Sequence, residues 1–159
     1  MPTTAFVRNV WSSFLKTSGL EPTLLNHLEI VRAKPGLVHL KLPIEQKHTN
    51  RLQILHGGTI ASIVDLGGSL AVASRGLHST GVSTDLNVTY MSSGGKVGND
   101  ISITCKCERL GRTLAFTTIE FYDTKHEKLF ARGSHTKYIS NALKDPLNQL
   151  EHHKSEPHK

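Results

Sequence analysis

The chain is poor in several residue classes, and each shortage excludes something. Two cysteines in 159 residues exclude a disulfide-stapled secreted module. No Cys/His spacing suits structural zinc. No apolar run approaches the ~20 residues that span a bilayer. Acidic residues number 13 against 19 Lys and Arg, with 10 His beside them, for a formal charge of +6. Aromatics make up 6%, too few to interleave with the basic residues, so the charge fits a phosphate-bearing small molecule better than an RNA platform. Nucleophile signatures are missing: there is no G-x-S-x-G elbow, and neither cysteine sits where it would become a thiolate. Gly94-Gly95-Lys96-Val97 lacks P-loop spacing, and the Rossmann fingerprint is absent. What remains is one domain's length, enough to bury roughly two thirds of the unfolded surface.

Along the chain, residues 1–20 carry Arg8 and Lys16, no acid and several Ser and Thr. That composition suits a mitochondrial transit peptide. It also suits an amphipathic first helix with Phe6, Val10, Phe14 and Leu15 on one face and Val7 and Trp11 beside them, which is the reading favoured here. Pro22 opens a short helical turn. Residues 28–34 and 37–42 read as strands around Lys34-Pro35-Gly36. Residues 43–56 are polar and irregular.

From Gly57 to Ser74 the chain is apolar nearly all round, which predicts a buried helix. Gly67 and Gly68 cost about 1 kcal/mol each in helix propensity, so close packing is expected there. Four β-rich stretches follow, at 82–91, 100–109, 113–122 and 128–139. The last three read as an antiparallel meander, and Ser92-Ser93-Gly94-Gly95 as a flexible loop. Cys105 and Cys107 share one strand face and read as reduced packing residues. Residues 1–140 are expected to form the domain and the polar residues 141–159 a disordered tail. A long central helix wrapped by an antiparallel sheet is an α+β layout.

Asp65 is the sole ionisable side chain between His56 and Arg75. Burying a lone carboxylate costs several kcal/mol unless it is paired or takes up a proton, so it reads as functional. His56-Gly57-Gly58 stands where the helix begins. Its first-turn N–H groups and positive dipole end suit a carbonyl that becomes negative during attack. Eight residues at 1.5 Å each put Asp65 about 12 Å from Gly57 along the axis. If both act on one substrate, the carboxylate must come from a second copy of the chain. Asn50 and Ser83 are weaker candidates, in the polar segment and at a strand start.

Asn50-Arg51-Leu52, Leu55-His56-Gly57-Gly58, Asp65 and Val82-Ser83-Thr84-Asp85-Leu86-Asn87-Val88-Thr89-Tyr90-Met91 together resemble the hotdog-fold acyl-CoA thioesterases, in the phenylacetyl-CoA thioesterase-like branch. Thr113-Leu114-Ala115-Phe116-Thr117 and His135-Thr136-Lys137 extend the likeness, which covers roughly residues 5–140. It implies a hotdog fold and a homodimer with shared active sites, with dimers pairing into a homotetramer. It also implies a set of roles. The Gly57 N–H polarises the thioester carbonyl, and His56 and Asn50 position thioester and water. Asp65 of a partner chain is general base or nucleophile, and Ser83 orients the water. An anhydride at Asp65 stays open beside base catalysis.

Coenzyme A, part of the substrate and not a cofactor, is expected along Tyr90, Met91, Ser92, Ser93, Gly94, Gly95 and Lys96. A second stretch is Arg109, Leu110, Gly111, Arg112, Thr113 and Leu114, and a third contact is Lys137 or Tyr138. The Ser93-Gly94-Gly95-Lys96 loop is one residue longer than in relatives, and Thr84 stands where an apolar residue is expected.

The expected reaction is hydrolysis of fatty acyl-CoA of medium or long chain, or of aryl-acyl-CoA, with no metal. Two alternatives are a non-catalytic acyl-CoA-binding protein and an enoyl-CoA hydratase. The second wants a His–acid pair at one carbon, which the spacing does not supply. Neither nucleic acid nor a membrane span is expected. Cytoplasm or mitochondrial matrix is the expected compartment.

Overall fold

The computed structural model describes residues 4–150. Helix α1 (Thr4–Thr17) buries Phe6, Val7, Val10 and Trp11, with Phe14 and Leu15 partly covered. It packs on β1 and on α3, so this stretch is part of the domain's core. A short helix α2 (Leu20–Leu24) includes Pro22. Strands β1 (Glu29–Lys34) and β2 (Leu37–Pro43) follow, then the long helix α3 (Gly57–Ala73). The remaining strands are β3 (Val82–Tyr90), β4 (Asp100–Leu110), β5 (Leu114–Asp123) and β6 (Lys128–Tyr138). All pairings are antiparallel in one six-stranded sheet of order β1-β2-β4-β5-β6-β3. The expected meander is β4-β5-β6, and β3 crosses to lie outside it.

The sheet wraps α3, and the two glycines explain how closely. A Cβ at Gly67 would lie 2.8 Å from the Cys105 sulfur, and one at Gly68 2.4 Å from His135 Nδ1. Any side chain there would push the helix off the sheet. Cys105 and Cys107 are free and buried, and burial pushes both thiols up. They pack and do not react.

Three expectations need correction. Asp65 is only half-buried. The sheet covers part of α3's circumference, and the described residues leave Gly58 exposed and Ala61, Ser62 and Asp65 only partly covered. Ser92-Ser93-Gly94-Gly95 is not a loose loop. Leu55 N–H donates to Gly95 O at 2.8 Å, Lys96 bridges Ile54, and a Cβ on Gly94 would strike Phe130 and Leu55. The tail expectation does not hold for residues 141–150. A 3-10 turn at Ala142–Lys144 leads to a strap that folds back on the α3–β3 connection. Gln149 N–H donates to Gly76 O at 2.7 Å, and His78 N–H donates to Asn148 Oδ1 at 2.7 Å. The Asp145 carboxylate takes the Ser79 hydroxyl and pairs with His78, which brings it down to about 2. The expected tail's remainder, 151–159, lies outside the described residues.

Candidate active site

The irregular segment before α3 is organised by a residue that the sequence reading passed over. His48 is fully buried. Its Nδ1 accepts from Glu45 N–H at 2.9 Å and its Nε2 meets Leu24 O at 2.7 Å. Its carbonyl receives His56 N–H at 2.8 Å and the Thr59 hydroxyl at 3.1 Å. The imidazole therefore joins α2, the polar loop and the first turn of α3. Burial chiefly lowers its pKa, which keeps the ring in the neutral form that this acceptor role needs. Its only signal in sequence was a histidine in a polar run.

At the start of α3 the first-turn donors are almost all used. Gly58 N–H goes to His56 Nδ1 at 2.7 Å, and the N–H groups of Thr59 and Ile60 go to the His56 carbonyl. Gly57 N–H has no partner among the described residues. With Nδ1 accepting, a neutral His56 ring carries its proton on Nε2 and offers it outward. Asn50 turns its Oδ1 inward to the N–H groups of Leu52 and Ile54, which leaves its amide nitrogen without a partner among the described residues. Asn50, His56 and Gly57 therefore supply three unused donors at one loop–helix junction. Such a set suits a carbonyl oxygen that gains negative charge. Tyr90 closes the junction from β3: its hydroxyl donates to Gly57 O at 2.7 Å.

Two turns further along α3, Asp65 meets Ser83, whose Oγ lies 3.5 Å from Asp65 Oδ2. Ser83 faces the helix because of a bulge. Tyr90 and Val88 point inward, onto Gly57 and the core, so regular alternation would turn Leu86 and then Thr84 inward. The register shift between Ser83 and Asp85 absorbs Thr84 and brings Ser83 round instead. Ser83 Oγ also lies 2.7 Å from Nε2 of His135, a buried β6 residue outside the expected site.

The chain does not unite all of the expected residues. Asn50, His56, Gly57, Tyr90 and the 91–96 loop lie at one end of β3, and Asp65 and Ser83 lie at the other. The Arg109–Leu114 turn, closed by Gly111 N–H on Leu114 O at 2.9 Å, also lies at the Ser83 end, because Leu114 pairs with Tyr138 and Tyr138 with Val82. Lys137 is misplaced by the sequence reading as a surface phosphate contact. It is 3% exposed because its strand position faces α3, and its Nζ donates to Ser69 Oγ at 2.7 Å. Burial lowers its pKa, and the Asp65 charge opposes that.

Along β3 nearly all side chains stand open, Val82, Leu86 and Tyr90 among them, and Met91 just past its end is exposed too. This unpaired edge runs beside the open stripe of α3.

The thioesterase superfamily model matches residues 52–130. A Schizosaccharomyces pombe protein classed provisionally as an esterase is 47% identical over 147 residues, 92% of this chain and 91% of that one. Human acyl-coenzyme A thioesterase 13 is 38% identical over 138 residues, 87% of this chain and 97% of its own length. The crystal structure of zebrafish thioesterase superfamily member 2 superposes with a TM-score of 0.78 at 37% identity, covering 86% of this chain and 98% of that one.

Proposed function

The chain belongs to the thioesterase superfamily, and on that footing we propose that it hydrolyses acyl-coenzyme A to a free acid and coenzyme A. The carrying observation is the pairing of Asp65 with Ser83 on an otherwise apolar helix, one strand-length from a cluster of unused donors. The thioester oxygen is held by Gly57 N–H, with Asn50 and His56 positioning the group. Water held by Ser83 gives its proton to Asp65 as its oxygen adds to the acyl carbon. Collapse of the tetrahedral adduct breaks the C–S bond, and the departing thiolate takes up a proton. The reaction consumes only water and needs no cofactor. Direct attack by Asp65, with a mixed anhydride hydrolysed afterwards, is the second version.

The active unit in this reading is a homodimer, with dimers pairing into a homotetramer. An exposed edge strand is a template for pairing. Antiparallel pairing of β3 with its counterpart about Leu86 sets Val82 opposite Tyr90 of the other copy. That brings the Asp65–Ser83 end of one chain to the Gly57 end of its partner. The same pairing joins the Arg109–Leu114 turn of one copy to the Tyr90–Lys96 segment of the other, as one strip for coenzyme A. Lys96, Arg109 and Arg112 are its exposed cations. Two buried, free cysteines suit a reducing compartment, cytosol or mitochondrial matrix. No helix among the described residues is long and apolar enough to cross a membrane.

The test follows coenzyme A release, with a thiol reagent, from a panel of medium-chain, long-chain and aryl acyl-CoAs. Wild-type protein is expected to release it, and Asp65→Asn to be at least ~100-fold slower, as for loss of a general base. No release from any acyl-CoA overturns the proposed activity, and equal rates remove Asp65 from it.

A further inference from the structure

His135 has no exposed surface and stands in a slot made for it. Gly68 lacks the Cβ that would sit 2.4 Å from its Nδ1. Thr117 secures the same residue from β5, its hydroxyl donating to His135 O at 2.7 Å. The ring is thus packed against the helix, and its main chain is tied to the neighbouring strand. Its Nε2 lies 2.7 Å from Ser83 Oγ, while Nδ1 has no partner of ordinary hydrogen-bond geometry among the described residues.

Ser83 itself lies on the exposed edge strand, and a serine hydroxyl has three staggered positions to choose from. Its contact with Asp65, at 3.5 Å, is at the limit of a hydrogen bond and cannot make that choice. Its contact with His135 is 0.8 Å shorter (3.5 against 2.7 Å) and comes from a fully buried ring packed against Gly68. We propose that His135 is the positioning residue of the hydrolytic site, holding the Ser83 oxygen in the one orientation that faces Asp65. This rests on the reading of Asp65 and Ser83 as the pair that activates water.

Ser83 has a single hydroxyl hydrogen. Placing it on the Asp65 carboxylate requires His135 to donate through Nε2 and leaves Nδ1 as a bare lone pair. A buried lone pair without a partner costs less than a buried N–H without one. Burial, and next the Lys137 ammonium, lower the imidazole pKa, while the Asp65 charge and main chain pull the other way. The balance favours a neutral ring. Prealigned groups of this kind raise the rate of a step without changing how tightly the substrate is held.

The experiment measures kcat and KM for His135→Asn, His135→Gln, Ser83→Ala and the double variant Ser83→Ala with His135→Asn, each checked for folding by its thermal midpoint. Asn is too short to reach Ser83 and should lower kcat by ~10-fold or more at a KM within about twofold. Gln spans the gap with an amide and should recover most of that loss. In the Ser83→Ala background the Asn change should slow the enzyme no further, because two residues acting through one contact are not additive. If His135→Asn does not fold, His135→Leu, which fills the slot without a polar atom, takes its place. Equal impairment of Asn and Gln, or the same fold-loss with and without Ser83, assigns His135 to packing alone and overturns the proposal. Full kcat in Ser83→Ala removes the Asp65–Ser83 reading, and the proposal with it. A slow Ser83→Ala that His135→Asn slows again removes only the proposal.

Discussion

At its start, β3 sets Ser83 against Asp65 and His135, a carboxylate and an imidazole of the kind that can accept and pass a proton. At its end, it sets Tyr90 against Gly57, where the available groups are donors: the Gly57 N–H, the Asn50 amide and the His56 ring. Hydrolysis of a thioester needs both kinds of group within a few ångströms of one carbon. The ~12 Å of helix between Gly57 and Asp65 keeps them apart in a single copy. In the proposed reaction each end is half of a site, and the strand between them is the element that can place unlike halves together.

The sharpest probe of the donor end is Gly57→Pro. His56 has ψ 136°, which a following proline accepts, and proline is well tolerated at a helix's first position. The change deletes one N–H while keeping the helix, and its Cβ meets the Tyr90 ring at 3.2 Å, so the ring must shift by a few tenths of an ångström. A fall in kcat of ~100-fold or more is expected, in line with removal of one oxyanion donor. Unchanged kcat in a folded protein would free the Gly57 N–H of any role.

Next comes Gly68→Ala, which presses on the other end from behind. The new methyl meets His135 Nδ1 at 2.4 Å and Thr117 Oγ1 at 2.7 Å, so a loss of about 1–3 kcal/mol is expected from overpacking, read by denaturant unfolding. A loss under ~0.5 kcal/mol would mean that the slot around His135 yields easily and cannot fix the ring.

The smallest effect belongs to Tyr90→Phe. Removing a hydroxyl that steadies Gly57 costs about 1 kcal/mol of alignment, or roughly a fivefold drop in kcat with KM little changed. A change confined to KM would return Tyr90 to coenzyme A binding alone.

The order of elements was legible because periodicity and turn residues agree with the final packing. The apolar stretch from Gly57 and the two glycines within it marked the central helix, and the lone Asp65 marked its candidate functional group. What was not legible depends on contacts between distant segments. Ser83 faces inward only because a bulge absorbs Thr84, and strand alternation alone points Thr84 there. His48 and His135 look like ordinary histidines until the fold closes around them. Lys137 read as a surface cation because nothing local shows that its strand position faces α3 and Ser69. The polar composition of 141–150 suggested disorder, yet Asp145, Asn148 and Gln149 find partners around Gly76 and Ser79 that no local pattern reveals.

Subunit mixing tests the shared site most directly. Asp65→Asn and Gly57→Pro proteins are each nearly inactive in this account, and each retains the half that the other lacks. Co-refolded in equal amounts, random pairing makes half of the dimers mixed, and each mixed dimer holds one intact and one doubly damaged site. Activity is then expected to return to about one quarter of the wild-type value per chain. A mixture no more active than its two components would contradict a site built from two chains.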